Sequence, residues 1–244
     1  MSEVHAGASA PDDGLPHEFD HKHADVSGGW LRAATFGAMD GLVSNTALIA
    51  GVAASASAHT VVLSGVAGLL AGAFSMALGE YTSVTTSNEQ IDSEVLVERR
   101  AFEAHPQAER AELTQMFVDM GLSQETAQQA TTDIHRDESR AVNFHLVQEL
   151  GVDPQEKPSA KVAAISSFLM FSIGAIIPLL PYLLGFESLP AGLVCGAIGL
   201  LIAGGLAAHF TSQPIWKASL RQLGFGAIAI AATYLVGTLI GAVL

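Results

Sequence analysis

Cysteine and charged residues are scarce in this chain of 244 residues. The single cysteine, Cys195, excludes a disulfide framework within the chain and any zinc or iron-sulfur site built from several of its cysteines. Only 14% of the residues are charged, whereas 50% are hydrophobic, so the composition differs from that of an ordinary soluble globule. The composition therefore predicts a membrane protein.

Basic residues are especially few: 11 Lys and Arg stand against 24 Asp and Glu, which gives a formal net charge of -13. This balance argues against a nucleic-acid partner and favours cations as partners. The first thirty residues also lack an apolar core, so we expect no cleavable signal peptide and a cytoplasmic tail over residues 1–31.

Five apolar stretches are long enough for a helix to cross the hydrocarbon core of a bilayer, which takes roughly 20 residues. They cover residues 33–56, 60–80, 162–184, 188–209 and 223–244. No long alternating pattern typical of β-strands competes with them. We therefore predict an all-α integral membrane protein with five transmembrane helices, the first two within residues 32–90 and the other three within 159–244.

The basic residues all fall in the N-terminal region and in segments 82–161 and 210–221, which predicts that these parts face the cytoplasm. The loops at 57–60 and 185–188 and the C-terminus then face outward. The basic residues are Lys22, Arg32, Arg99, Arg100, Arg110, Arg136, Arg140, Lys157, Lys161, Lys217 and Arg221.

The acidic segment at 91–158 is predicted to be a helical cytoplasmic domain inserted between the second and third spans. Its apolar residues recur at helical spacing. Pro106 fits the first turn of a helix, Gly121 fits a helix end, and Ser123 can cap the next helix. The polar run 82–88 has no Pro or Gly, so we expect the second transmembrane helix to continue into this domain.

Asp40 lies inside the first span, where a carboxylate costs roughly 2.5 to 3.5 kcal/mol on insertion scales. One interpretation is a cation or proton site on a polar path, to which Asn45 also belongs. The other is a structural carboxylate satisfied by Arg32, Asn45 or a neighbouring hydroxyl. Ser44 shares the face of Asp40 because it lies four residues later.

Met76 and Glu80 are also four residues apart and so point the same way from the second span. A thioether beside a carboxylate suits a borderline ion such as ferrous iron. The alternative for Met76 is simple apolar contact, the commoner role of methionine.

Acidic residues on the cytoplasmic helices form same-face pairs, which repel unless a cation screens them. Their alternative role is a solvated acidic face with Arg99, Arg100 and Arg110 as partners. The candidates are the pairs Glu94 with Glu98 and Glu109 with Glu112, together with Glu103, His105 and Glu149.

His17, His21 and His23 form a small cluster in the tail, which is either a weak transition-metal site or a flexible terminus. No nucleophile paired with a base, phosphate-binding glycine loop or zinc-protease helix is found in the sequence, which disfavours an enzyme.

Several segments resemble the vacuolar iron transporter family. They are RAATFGAMDGLVSNTALIAGV at 32–52, AGAFSMALGEYTSV at 71–84, VERRAFEAHPQAERAELTQMFVDMGLS at 97–123 and FSIGAIIPLLPYLL at 171–184. The resemblance implies a homodimer of five-span chains that exchanges ferrous iron for protons along a path at the dimer interface. It also implies that residues 91–158 form a cytoplasmic metal-binding domain.

By this resemblance, Asp40 and Met76 correspond to the family's ligands along the path, and Glu80 to the glutamate near the cytoplasmic mouth. Two departures stand out. Ala101 replaces a glutamate, for which Glu103 or His105 could substitute, and His145 with Leu146 stands where some members have a methionine pair. The residues that resemble the family's metal-binding glutamates are Glu98, Glu109, Glu112 and Glu149.

The expected function is therefore proton-coupled export of a divalent transition metal from the cytosol, with Fe²⁺ or alternatively Mn²⁺ as substrate and no permanently bound cofactor. The membrane would be the plasma membrane in a prokaryote and the vacuolar membrane in a eukaryote. One rival is a transporter selective for manganese or for a non-metal solute. The other is a membrane-anchored metal buffer or sensor.

Overall fold

The computed structural model describes residues 29–54, 56–211 and 213–243, and within these ranges every regular element is a helix. Five helical segments are long and apolar enough to cross a membrane: Trp30–Ala53, Ala58–Ala104, Ala160–Leu183, Leu189–Phe210 and Ile215–Ile240. Over the described residues, this confirms the predicted all-helical fold with five helices able to span a membrane. The helices are α1 (Trp30–Ala53), α2 (Ala58–Ala104), α3 (Pro106–Asp119), α4 (Gln124–Ile134), α5 (Glu138–Leu150), α6 (Ala160–Ile176), α7 (Leu180–Leu183), α8 (Leu189–Phe210) and α9 (Ile215–Val243).

Two spans differ in detail from the sequence expectation. The third is interrupted, because α6 ends at Ile176 and a 3₁₀ turn, Ile177–Leu179, leads into α7. Pro178 and Pro181 have no backbone N–H to continue the α-helical pattern. The fifth helix begins at Ile215 rather than near residue 223. Its first turns are helical but polar, so they did not belong to the apolar stretch from which the span was predicted.

The first helix is the centre of the apolar bundle, where α1 contacts α2, α6, α8 and α9. Glycines permit its closest approach, which is to α6. A methyl group at Gly41 would overlap the carbonyl oxygen of Phe171, and one at Gly174 would overlap that of Ala38. Small residues are what allow helix backbones to meet in a membrane bundle.

The second helix has 47 residues without a break, a length of about 70 Å at 1.5 Å per residue. It therefore extends well past a hydrocarbon core of about 30 Å, and it runs through the boundary at residue 90 that separates the two predicted domains. The N-terminal cap is Ser57, whose side chain accepts a hydrogen bond from the N–H of Thr60.

Helices α3, α4 and α5 form an insert with the distal part of α2. The expected local signals are confirmed: α3 begins at Pro106, Gly121 follows its end with φ of 101°, and the Ser123 side chain caps α4. One small core joins α2 to α5 and another joins α3 to α4. Their buried members are Phe102, Ala141, Val142 and Leu146 in the first, and Leu113, Phe117 and Ala127 in the second.

The chain returning from the insert is tied to α2. The Asn88 side chain donates a hydrogen bond of 3.0 Å to the carbonyl of Pro158, and Lys157 pairs with Asp92. The insert is thus anchored to α2 at both of its ends.

Candidate functional site

A polar cleft of about 230 Å³ lies between α1 and α2, within two of the candidate spans. Asp40 and Ser44 reach it from one face of α1, and Gly68, Gly72 and Met76 reach it from one face of α2, because residues four apart share a helix face. Its lining residues are Asp40, Ser44, Asn45, Leu48, Gly68, Gly72, Ser75, Met76 and Phe171. Asp40, Met76 and Asn45 are therefore brought together.

The three groups considered as structural partners of Asp40 make hydrogen bonds elsewhere. Arg32 pairs with Glu80, and the Ser44 hydroxyl donates to the backbone carbonyl of Asp40 rather than to its carboxylate. Asn45 donates from Nδ2 to the carbonyl of Ala175 at 2.5 Å. The half-buried Asp40 carboxylate thus faces the cleft, in which no Lys or Arg is among the lining residues.

Asn45 is almost fully buried, with 2% of its surface exposed. Its Nδ2 is satisfied, but its Oδ1 is buried without a hydrogen-bond partner in the described structure. A buried amide oxygen without a partner is unfavourable. Asn45 therefore adds an oxygen donor to the wall formed by Asp40.

Met76 has two environments. Its side chain contacts the buried cluster of Ala73, Phe171 and Ala175, and it also lines the cleft. The side chain of Met76 thus contacts apolar residues and also faces the polar cleft, so its position is compatible with both apolar contact and a role as a metal ligand.

Glu80 lies one turn beyond Met76 on α2, outside the cleft-lining set, and is buried. Arg32 holds its carboxylate with both terminal nitrogens, at 2.8 and 3.3 Å. Such a two-pronged pair is among the stronger charge-assisted contacts. It joins α1 to α2 near the end of the cleft.

A second cluster lies in the insert, where α2, α3 and α5 converge. Ligand atoms of Glu98, Glu109 and His145 all lie within 4.8 Å of one another, and all three residues are buried. Nδ1 of His145 is 3.2 Å from Oε1 of Glu98, 3.6 Å from Oε2 of Glu109 and 3.2 Å from Oε1 of Glu149. No arginine pairs with Glu98 or Glu109 in the described part of the chain, so these two are not a solvated face neutralised by arginines.

Burial and crowding of like charges perturb these carboxylates. Burial, reinforced by the charges of Glu149, Glu109 and Glu112, raises the pKa of Glu98 to about 7. The pKa of Glu109 is also raised, chiefly by burial, although the nearby His145 opposes the shift. Glu112 and Glu149 thus contribute negative charge to the same locus.

Two other candidates lie apart from this cluster. Glu103 and His105 are exposed, and neither belongs to the group that could hold an ion. Their suggested role as replacements for the residue lost at Ala101 stays a prediction. The tail cluster of His17, His21 and His23 lies outside the described residues.

His145 is the residue that the sequence analysis did not select as a ligand. The sequence spacing could have identified it, because His145 and Glu149 are four residues apart on α5 and so share a face. What the spacing did not reveal is that this face is turned towards Glu98 and Glu109.

Five candidate spans, a polar cleft between two of them and an acidic helical insert define a multi-pass helical membrane protein. The family model described as "VIT family" matches residues 31–238, and the chain belongs to this family. The tail is thus the main part of the chain outside the match.

Curated relatives agree over most of the chain. A protein of Acanthamoeba castellanii named "Vacuolar iron transporter" is 33% identical over 90% of this chain and 82% of its own length. "Vacuolar iron transporter 1" of Arabidopsis thaliana is 30% identical over 86% of this chain and 85% of its own length. "Vacuolar iron transporter homolog 3" of the same plant is 33% identical over 87% and 84%.

Proposed function

We propose that this protein moves a divalent transition metal, Fe²⁺ in the first place and Mn²⁺ as the alternative, out of the cytosol in exchange for protons. The observation that carries the proposal is the juxtaposition of the Asp40 carboxylate, the Asn45 amide oxygen and the Met76 thioether in one cleft between two spans. Membership of a family whose relatives are named iron transporters supports the same reading.

The donor set accounts for both ions in the exchange. Oxygen donors suit the harder divalent ions and a thioether suits softer ones, so the mixture fits a borderline ion such as Fe²⁺. A carboxylate binds the metal only when it is deprotonated. Asp40 therefore holds either a metal ion or a proton, and protons entering from outside favour release of the metal.

The insert is proposed to collect ions on the cytoplasmic side. Glu98, Glu109, Glu112 and Glu149 supply the carboxylates, and Glu80 receives the ion at the mouth of the cleft. Because Arg32 occupies the Glu80 carboxylate, an ion that uses Glu80 must displace Arg32 or share the carboxylate with it.

A second copy of the chain is part of this proposal. The apolar face of α2 is largely exposed along its span, including Leu63, Leu70 and Leu78. The cleft beside it is open on one side. A homodimer would cover this face and close the path between the two copies.

The test is metal uptake into proteoliposomes that contain a metal-quenched dye, with and without an imposed pH gradient. Wild type should show quenching that depends on the gradient, and Asp40→Ala should lose it while still purifying as a folded protein. Glu187→Gln, which removes an exposed carboxylate between α7 and α8, is the matched control and should behave as wild type. Normal uptake by Asp40→Ala would refute the mechanism.

A metal buffer or sensor is the second candidate, favoured by the buried cluster in the insert, which is separate from the cleft. On that view the purified protein binds iron but its proteoliposomes accumulate none. The same uptake assay, combined with equilibrium iron binding, therefore separates the two functions.

A further inference from the structure

The strongest unexplained feature outside the cleft is the environment of His145. Its side chain is fully buried, and its Nδ1 faces carboxylate oxygens from three glutamates on three helices. A ring nitrogen carries at most one proton, and Nδ1 lies within hydrogen-bond distance of Oε1 of Glu149. Oε1 of Glu98 is buried and has no hydrogen-bond partner in the described structure.

This arrangement leaves a buried carboxylate oxygen unsatisfied, which is costly. Glu98 has 8% of its surface exposed, as does Glu109. Solvent therefore does little to satisfy either, and one imidazole proton cannot satisfy all three glutamates. A cation at the centre would satisfy them together.

The spacing of the donor atoms fits such a cation. Bonds from a transition ion to imidazole nitrogen and carboxylate oxygen are about 2.0 to 2.2 Å long, so neighbouring ligand atoms lie about 3.0 to 3.4 Å apart. Nδ1 of His145 lies 3.2, 3.2 and 3.6 Å from the three oxygens. These three distances match the expected separation of neighbouring ligand atoms to within a few tenths of an ångström.

We infer that Nδ1 of His145 is a metal ligand and that it determines which ions the insert selects. An imidazole among carboxylates favours Fe²⁺, Co²⁺, Ni²⁺ and Zn²⁺ over Mn²⁺, Mg²⁺ and Ca²⁺, which carboxylates alone accept well. The inference deepens the proposed function by naming the class of ion collected at the insert. It does not require that the ion be transported.

The tautomer required for this role is compatible with the surroundings. Nδ1 is a ligand only when the ring proton resides on Nε2. Nε2 of His145 is buried and unpartnered in the described structure, and the rings of Phe102 and His135 lie 5.0 and 5.7 Å from the imidazole. No carboxylate competes for that edge among the ion pairs of His145.

The experiment compares Co²⁺ and Mn²⁺ binding to the full chain in detergent, by titration and by the visible absorption of bound Co²⁺. All proteins carry alanine at His5, His17, His21 and His23, which removes the histidines of the tail. The test variant is His145→Asn, whose amide oxygen can occupy the place of Nδ1. The control is His59→Asn, because His59 is exposed at the opposite end of α2 from the insert.

The expected result is that His145→Asn lowers the Co²⁺ to Mn²⁺ affinity ratio about tenfold or more and changes the Co²⁺ spectrum, as loss of a directing ligand does. His59→Asn should leave both unchanged. An unchanged ratio and spectrum in His145→Asn would overturn the inference, and so would an equal change in His59→Asn.

A second variant guards against misfolding. His145→Met keeps a large side chain at the buried position and offers a thioether, so it should retain preference for Co²⁺ over Mn²⁺ with an altered Co²⁺ spectrum. A spectrum identical to that of wild type would contradict the role of His145. Asp40→Ala should keep the wild-type affinity ratio. If wild-type proteoliposomes showed no uptake while the ratio stayed intact, the proposed function would be refuted and this inference would stand.

Discussion

Met76 is the only sulfur donor among the residues that line the cleft, and we predict that it biases the path towards iron. Met76→Leu keeps the apolar contacts of the side chain but removes its sulfur. Fe²⁺ uptake should therefore fall several-fold more than Mn²⁺ uptake, since a thioether favours the softer ion. Parallel uptake assays with the two ions measure the ratio.

Met170→Leu is the matched control for this substitution. Met170 is half-buried like Met76, but it lines an apolar groove between α1, α6 and α8. The control should leave the ratio of the two uptake rates unchanged. Equal losses of iron and manganese uptake in Met76→Leu would show that the sulfur plays no part in selectivity.

We predict that Glu98 makes ion binding at the insert dependent on pH near neutrality. Its pKa is raised from 4.5 to about 7, and a metal binds only the deprotonated carboxylate. Below pH 7, displacement of this proton should lower the apparent metal affinity by about tenfold per pH unit, and the dependence should level off above it. Titrations of Co²⁺ between pH 6 and 8 measure the slope.

Glu98→Gln should reduce that slope by about one proton, whereas equal slopes in the variant and the wild type would exclude Glu98 from the coupling.

The stability of the metal-free protein should change with pH in the opposite direction, falling as the pH rises. A raised pKa favours the protonated folded form, so the contribution of Glu98 to stability is present below 4.5 and is lost as the pH rises through 7. Thermal unfolding with a chelator measures this loss.

At the scale of single residues, sequence reasoning identifies side-chain chemistry better than side-chain partners. The cost of a carboxylate in a span singles out Asp40 without any structure. Arg32 was one of its suggested partners, yet it pairs with Glu80. The sequence could not distinguish the two carboxylates, because that requires knowledge of the relative rotation of α1 and α2. His145 was not selected for a similar reason: its inferred ligand role depends on how α5 faces α2 and α3.

At the scale of the elements, the crossing of α1 and α6 depends on glycine. We predict that Gly41→Ala forces these backbones apart, because the added methyl would overlap the carbonyl of Phe171. Overfilling a tight contact costs about 1 to 3 kcal/mol, and here the obstacle is backbone rather than a movable side chain. The melting temperature of the purified protein should fall by several degrees.

Gly224→Ala is the control for this crossing, since nothing lies within 4 Å of a methyl group at Gly224 on α9. It should melt at or above the wild-type temperature because alanine favours a helix over glycine. If Gly41→Ala melted like Gly224→Ala, the close approach of α1 and α6 would not hold in the folded protein.

The helices themselves were largely predictable, because apolar runs of sufficient length and local end signals act within one segment. Pro106, Gly121 and Ser123 each mark a helix end where expected. The start of α9 was not predictable, since hydropathy locates the apolar stretch of a helix and not its polar first turns with Lys217 and Arg221. The break at Ile177–Leu179 is encoded by the prolines, but its form, a 3₁₀ turn, depends on the neighbouring helices.

At the scale of the whole molecule, the distribution of basic residues predicts that the insert faces the cytoplasm and the loop between α7 and α8 faces outward. Cys195 is the chain's one cysteine, so Cys195→Ala gives a background for labelling. In that background, Glu187→Cys should react with a membrane-impermeant maleimide on intact cells that carry the protein in the plasma membrane. Glu125→Cys, at an exposed position of α4, should react only after permeabilisation.

The reverse pattern of labelling would show that the chain has the opposite orientation. The proposed transport would then be import into the cytosol rather than export. Labelling of both positions on intact cells would place the insert and the loop on the same side. That result would contradict a membrane crossing by the third candidate span, Ala160–Leu183, which lies between them.

The uninterrupted length of α2 separates the two groups of donors. Glu98 lies eighteen residues beyond Glu80 on one helix, a distance of about 27 Å at 1.5 Å per residue. This is about three times the screening length of physiological salt, roughly 8 Å. On the proposed route, an ion held in the insert must therefore dissociate completely and diffuse before it enters the cleft, so we expect its residence time at the insert to set an upper limit on throughput. Substitutions that tighten the insert site would then slow turnover at saturating metal, even though they improve capture when metal is scarce.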